Sequence, residues 1–219
     1  MDASIIITNY NYGLFLERCI RSCLNQKMPL GKEYEIIVID DNSNDMSHEI
    51  LKRFQGKIRY KVLDDNYGVA FASNVGIRMS DGRFVVRVDS DDYINEYMLL
   101  IQLLYLSYRT DYFGVSVDYY TVDLTGDKKI KIFSANDEPI SCGIMYRKDL
   151  LVLEGLYDPN YRHREERELR LRLREKYTIG NIPIPLYRYR IHGENKTNDI
   201  KELKRIDNYL TKKYRSGSE

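Results

Sequence analysis

The chain has 219 residues, which at ~150 residues per domain fits one complete domain with an appendage. Lys plus Arg number 34 and Asp plus Glu 33, so with a net charge of +1 no global field draws the chain to nucleic acid or to an anionic membrane. Apolar residues at 43% and charged residues at 31% leave enough for a core and exclude a disordered chain.

Residues 4–8 form a β-branched apolar run stopped by Asn9-Tyr10-Asn11-Tyr12-Gly13, the pattern of a buried strand followed by a turn. Leu16, Ile20, Cys23 and Leu24 then recur at helical intervals until Met28-Pro29. Residues 34–39 predict a second strand, stopped by Asp40-Asp41-Asn42-Ser43. Asn44 and Ser47 are both candidate N-caps for a helix with Ile50, Leu51 and Phe54 inside, and residues 59–63 give a third strand. Strand, helix, strand, helix, strand is the grammar of a parallel sheet.

Val69, Ala72, Ser73, Gly76 and Ile77 lie at helical spacing, and the small residues among them permit close packing on a sheet. Asp81-Gly82 turns the chain into a buried strand at 84–88, which ends in Asp89-Ser90-Asp91-Asp92. An apolar helix is expected at 97–108 and two strands at 112–122 and 128–133, giving the second half antiparallel character. Residues 167–176 read two ways: Leu169, Leu171 and Leu173 alternate as in a strand, whereas Leu169, Leu173 and the pairs Glu166/Arg170 and Glu168/Arg172 fit a helix, which is the assignment adopted.

Cys19, Cys23 and Cys142 are odd in number and lack CxxC spacing, which fits buried thiols in a reducing compartment better than disulfides or zinc. No segment approaches the ~20 apolar residues of a membrane span, and the N-terminus has no export signal, so a cytoplasmic chain is expected.

In a parallel α/β sheet, ligands bind beyond the carboxyl ends of the strands. The polar clusters at 9–13, 40–43 and 89–92 all fall there. Carboxylates crowded together repel unless a cation or hydrogen-bond donors compensate them. Asp89-Ser90-Asp91-Asp92 therefore reads as a site for hard Mg²⁺ or Mn²⁺, against the plainer reading of an acidic turn before a helix. No Walker-type loop and no GxGxxG follows the first strand, which removes support for P-loop and dinucleotide chemistry.

Ser4-Ile-Ile-Ile-Thr-Asn-Tyr-Asn, Ile37-Val-Ile-Asp-Asp-Asn-Ser, Asn66-Tyr-Gly with Ala72-Ser-Asn-Val-Gly, Asp81-Gly-Arg-Phe and Val88-Asp-Ser-Asp-Asp resemble, in order, the motifs of the family 2 GT-A glycosyltransferases. Arg164-Glu-Glu-Arg-Glu-Leu is similar to the family's acidic pair ahead of its catalytic-base helix, and Tyr187-Arg-Tyr-Arg-Ile-His to its late Arg/His segment. The resemblance implies an α/β GT-A fold: a mostly parallel central sheet flanked by helices, with a smaller antiparallel part. It places one catalytic domain over residues 1–198 and a basic helix and tail over 199–219.

The implied activity is transfer of a sugar from a nucleotide-diphosphate donor to an acceptor hydroxyl on a glycan, lipid-linked glycan or protein-linked glycan, with inversion and with a divalent metal, Mn or Mg. Thr8, Tyr10, Asp41, Asn74, Asp89 and Ser90 would contact the nucleotide sugar, Tyr10 stacking on the base and Asp41 accepting from its ring N–H. Asp91 leads as metal ligand, with Asp89, Asp92 and His192 completing the set. Glu166 falls at the position of the general base, and the assignment between it and Glu165 stays open because relatives carry Asp there. Ser73 stands where the family commonly has Arg, and Arg78, Arg190 or Lys196 are candidate substitutes for that diphosphate contact. His192 sits in a loop with Arg188, Arg190, Asn195 and Lys196. Acceptor-recognising residues are expected within 112–147 and 157–163.

Two alternatives stand beside transfer: a sugar-nucleotide-binding module without turnover, and nucleotidyl transfer, which would want a basic Gly-rich loop that residues 9–13 lack. In the tail, Ile200, Leu203, Ile206 and Leu210 form an apolar stripe among Lys201, Lys204, Arg205, Lys212, Lys213 and Arg215. Such a helix either docks on the domain or makes peripheral contact with an anionic membrane.

Overall fold

The computed structural model describes residues 1–193 and 200–215. In chain order the elements are β1 (Ala3–Asn9), α1 (Gly13–Leu24), β2 (Tyr34–Asp40), α2 (Ser47–Arg53), β3 (Arg59–Val62), α3 (Val69–Met79), β4 (Phe84–Asp89), β5 (Tyr93–Ile94), α4 (Met98–Tyr108), β6 (Gly114–Val122), β7 (Lys129–Phe133), β8 (Met145–Arg147), α5 (Lys148–Leu153), α6 (Glu165–Leu173), β9 (Ile179–Arg190) and α7 (Ile200–Arg215).

One sheet runs β3-β2-β1-β4-β8-β6-β9-β5, with β7 added to β6. β1 pairs parallel with β2 and β4, and β2 with β3. β8 runs antiparallel between β4 and β6, while β6 and β9 pair parallel. β7 and β5 are the other antiparallel additions. The expected α/β architecture, parallel with an antiparallel part, is the observed one.

The period-2 alternation of the strands divides the core between the two faces. Ile5, Ile7, Val38, Val86 and Val88 pack with Leu16, Ile20 and Cys23 of α1 and Leu99 and Leu103 of α4. Ile6, Ile37, Ile39 and Val85 pack on the other face with Ala70, Ala72 and Ile77 of α3, Leu151 of α5, and Leu169 and Leu173 of α6. Gly76 sets the approach of α3, since a Cβ there would lie 2.4 Å from Ile6 Cγ2. The three cysteines are free and buried, as expected.

Three local readings change. Neither Asn44 nor Ser47 caps α2, whose N-cap position is Met46; the neighbouring Asp45 carboxylate accepts from the backbone N–H of Ser47 at 2.9 Å and of Gly13 at 2.8 Å. The ambiguous segment is helical but begins at Glu165, with the ion pairs Glu166–Arg170 at 3.0 Å and Glu168–Arg172 at 2.9 Å formed. β9 has no clear strand pattern in the sequence, because Pro183 and Pro185 interrupt it. Prolines cannot donate to a ladder, and the β6–β9 register shifts on either side of Asp118, which pairs with Pro185.

α7 lies against α6. Leu203 and Leu210 are buried, Asp207 pairs with Arg164 and Arg167, each at 3.1 Å, and the Tyr214 hydroxyl donates to Glu168. Lys201, Lys204, Arg205, Lys212 and Lys213 face outward, whereas the side chains of Ile200 and Arg215 lie outside the described set. No helix among the described residues is long and apolar enough to cross a membrane.

Candidate active site

The ends of β1, β2 and β4 are knitted together by their own backbones. Asp41 N–H donates to Asn9 O at 2.8 Å, and Ser90 N–H to Thr8 O at 3.3 Å. Asp40 is buried in this knot and accepts from Asn9 Nδ2 at 2.6 Å and from Ser43 N–H and Oγ–H at 3.0 and 2.7 Å. Asn11 and Asn42, in the loops after β1 and β2, have left-handed backbone conformations with φ of 57° and 66°. Asn tolerates that region better than most residues, which lets both loops turn sharply at the sheet edge.

Beyond these ends opens a cavity of about 210 Å³. Thr8, Tyr10, Asp41, Asp89, Ser90, Asp91 and Glu165 line it, so it gathers residues from all three strand ends and from the start of α6. Tyr10 is 41% exposed, leaving its ring face available for stacking. The Asp41 carboxylate accepts from the backbone N–H groups of Tyr67 at 2.9 Å and Gly68 at 2.8 Å. Gly68 has φ of 90°, a conformation that glycine supplies without a Cβ penalty, and it opens α3 beside the cavity.

The acidic cluster divides into two kinds of carboxylate. Asp91 faces the cavity, its Oδ2 2.9 Å from His192 Nε2. His192 is held edge-on to Tyr12, with ring centroids 5.4 Å apart, and against Phe15 at 5.2 Å. Asp92 instead turns into the protein, accepting from the Tyr187 hydroxyl at 2.8 Å and from Arg190 N–H at 2.8 Å. Burial, reinforced by the charges of Asp91 and Asp89, pushes the Asp92 carboxyl well above the usual carboxylate range. These bonds anchor β9, and Asp92, expected among the metal ligands, is not on the cavity wall. Ser90 Oγ is buried and makes no hydrogen bond, and Asp89 Oδ1 makes none but lies 3.1 Å from Arg87 Nε in an ion pair; both are hard oxygen atoms at the cavity wall. Such donors fit a Mg²⁺- or Mn²⁺-type ion. The oxygens of Asp89 and Asp92 and the Cys142 sulfur also lie within 4.8 Å of one another.

The neighbouring glutamates separate. Arg164 is left-handed, with φ of 63°, and α6 starts immediately after it. Glu165 thereby reaches the cavity, where its Oε1 accepts from Arg87 Nη1 at 2.8 Å. Glu166, expected first as the base, points the other way. Its Oε1 accepts from the Tyr146 hydroxyl and from Arg170 Nε at 3.0 Å, and it is absent from the cavity wall. Burial raises the Glu166 carboxyl above its ordinary value, with Arg170 and Tyr146 pulling it back. Asn74, an expected donor contact, is also off the cavity: it is buried, donating to Tyr157 O at 2.7 Å and accepting from Tyr157 N–H at 3.1 Å, and so ties α3 to the segment before α6.

Of the expected substitutes for an arginine at Ser73, the two within the described residues are engaged elsewhere or exposed. Arg78 is exposed on α3. Arg190 backs the acidic loop by donating to Asp91 O and Leu124 O, both at 2.6 Å, and Asn195 and Lys196 lie outside the described residues.

Residues 4–179 match the family model described as glycosyl transferase family 2. The chain belongs to that family. It is 41% identical over 96 residues to the poly(ribitol-phosphate) beta-N-acetylglucosaminyltransferase TarP of Staphylococcus aureus, a match covering 42% of this chain and 29% of TarP. Its fold is similar to that of S. aureus TarS in complex with UDP-GlcNAc, with a TM-score of 0.74 and 23% identity over 90% of this chain and 61% of that one. It is also similar to the mannosyltransferase PcManGT of Pyrobaculum calidifontis in complex with GDP-Man and Mn²⁺, with a TM-score of 0.69 and 16% identity over 88% of this chain and 58% of that one. The chain thus spans less than a third of TarP.

In this family 2 chain, several cavity residues carried no expectation as donor or metal contacts. Arg87 had a visible signal: a lone charge inside the apolar run Phe84-Val-Val-Arg-Val, where a buried cation must find a partner. Cys142, Tyr189 and Leu203 reach the wall through β9 pairing, the loop before β8 and α7 docking, which no local pattern announces. Arg162 and His163 lie within the segment expected to recognise the acceptor.

Proposed function

We propose that this chain transfers a sugar from a nucleoside-diphosphate donor to an acceptor hydroxyl, with inversion, and that Glu165 is the general base. The observation that carries the reading is the convergence of Tyr10, Asp41, Asp89, Asp91 and Glu165 on one cavity at the strand ends. Tyr10 and Asp41 flank the end suited to a base, and Asp89 and Asp91 the end suited to ribose and diphosphate. TarP and TarS, as named relatives, support a nucleotide-sugar donor and an acceptor hydroxyl on a polyol-phosphate or glycan chain.

As the acceptor oxygen bonds to the anomeric carbon, the bond from that carbon to the diphosphate oxygen breaks on the opposite face, and the hydroxyl proton passes to the Glu165 carboxylate. Arg87 keeps that carboxylate paired and aimed at the cavity. Asp91 and Asp89, with His192 behind Asp91, are the residues that would hold a divalent ion. When bound, such an ion supplies charge neutralisation for the departing diphosphate.

The test is release of nucleoside diphosphate from UDP-GlcNAc, UDP-glucose and GDP-mannose with Mn²⁺ or Mg²⁺, followed by NMR of the product's anomeric configuration. Turnover with inversion supports the reading. Binding without turnover favours a binding module, formation of nucleoside triphosphate and sugar 1-phosphate on addition of pyrophosphate favours nucleotidyl transfer, and a rate undiminished by EDTA removes the metal.

A further inference from the structure

Arg87 is 6% exposed in a central strand, between β1 on one side and β8 on the other. Its side chain shares the face of Val85 and is directed at α6. The guanidinium spans two carboxylates: Nη1 is 2.8 Å from Glu165 Oε1, and Nε is 3.1 Å from Asp89 Oδ1, an ionic contact outside hydrogen-bond geometry. The Tyr157 ring lies 5.7 Å below it. Both carboxylates that Arg87 touches line the cavity, as does Arg87 itself. Without it, Asp89 and Glu165 would lose the guanidinium that lies between them.

We propose that Arg87 is a positioning residue for the transfer reaction, fixing the Glu165 carboxylate relative to Asp89 and so setting the base against the donor. The proposal rests on the glycosyl-transfer reading above. A planar guanidinium can bridge two carboxylates, whereas an ammonium at the end of a lysine is a point charge that satisfies one. Beside Arg87 a small void of about 10 Å³ is lined by Ser73, Tyr146 and Tyr157. Ser73 is buried with its hydroxyl donating to Val69 O at 2.7 Å, so α3 offers a second place from which a guanidinium can enter the same space.

The experiment compares the full chain with Arg87→Met, Arg87→Lys and Arg87→Met/Ser73→Arg, each checked for a cooperative thermal melt. The rate is read as nucleoside-diphosphate release from UDP-GlcNAc, UDP-glucose and GDP-mannose with Mn²⁺, and the position of Glu165 from crystal structures. Arg87→Met is expected to lower kcat by roughly 10²-fold while changing donor KM less than about tenfold, with the Glu165 carboxylate displaced by about 1 Å or more. Arg87→Lys should fall between, and Ser73→Arg should restore at least about tenfold of the lost kcat, a recovery that a merely structural role does not give.

A folded Arg87→Met with wild-type kcat, or with Glu165 unmoved within about 0.5 Å, overturns the proposal. If Arg87→Met does not fold, Arg87→Lys decides by the same two readings. If the unaltered chain releases no nucleoside diphosphate from any of the three donors, the transfer reading fails instead, and the displacement of Glu165 still decides whether Arg87 positions it.

Discussion

Glu165 and Glu166 carry the same functional group, but consecutive residues of a helix point about 100° apart, so only one of them can face the cavity. That geometry gives them opposite surroundings. Glu166 is a buried member of the Tyr146–Arg170 cluster, and burial raises its folded-state titration above the ordinary value near 4.5. The folded protein therefore holds the proton at pH values where the unfolded chain has released it. The stability associated with this group is fully present below the unfolded value and is lost as pH rises through the folded one. Glu166→Gln should abolish that trend: the wild-type midpoint in urea, measured relative to the variant, is expected to fall as pH rises from about 4 to 7. A constant difference would contradict the buried, proton-retaining environment. Asp91→Asn tests the other pole of the site. The carboxamide keeps the shape and loses the charge, so Mn²⁺ binding measured by calorimetry should disappear and kcat should fall by roughly 10²-fold with the melting temperature little changed. At this scale the sequence made Thr8, Tyr10, Asp41, Asp89, Ser90 and Asp91 readable, because strand ends announce themselves by polar residues after apolar runs. It could not orient a pair of glutamates, since orientation depends on the left-handed Arg164 that precedes them.

Elements differ in how much of their identity is local. β1, β2 and β4 are largely apolar, β-branched runs that read directly as strands. α6 carries leucines on alternate positions and so mimics a strand until Leu169 and Leu173 are seen buried against α3 and α5. β9 hides behind Pro183 and Pro185 and exists because β6 pairs with it along its length. The amphipathic pattern of the tail helix suits docking and a membrane equally, and the structure seats Leu203 and Leu210 on the domain with Asp207 clamped by Arg164 and Arg167. Burying each leucine contributes about 1.5–3 kcal/mol. A chain ending at Asn198 is accordingly expected to melt roughly 5–10 °C lower by calorimetry. Because Leu203 and Leu210 are occupied, we expect the full chain to remain unbound in flotation with anionic vesicles. Salt-sensitive flotation lost on truncation would return the helix to the membrane.

Across the whole molecule, a near-zero net charge left function to local groupings, and the parallel half of the sheet concentrates them at one edge. The first three strands and the first three helices could be laid out from periodicity alone, because each βα unit is closed by contacts near in sequence. The second half could not, because β8 enters antiparallel between β4 and β6, and β9 closes on β6 from some 65 positions away, with Ser116 opposite Asn181. That second half nonetheless completes the site, delivering Glu165, His192 and Cys142 to strand ends formed by the first. The central claim is that Glu165 acts at this cavity while Glu166 serves the core. It is tested most directly by kcat for nucleoside-diphosphate release in Glu165→Gln and Glu166→Gln, measured side by side where both are folded. The account predicts a fall of roughly 10²-fold or more for Glu165→Gln with donor KM nearly unchanged, and a kcat within about threefold of wild type for Glu166→Gln. The reverse order, a tolerant Glu165 and a sensitive Glu166, would contradict it.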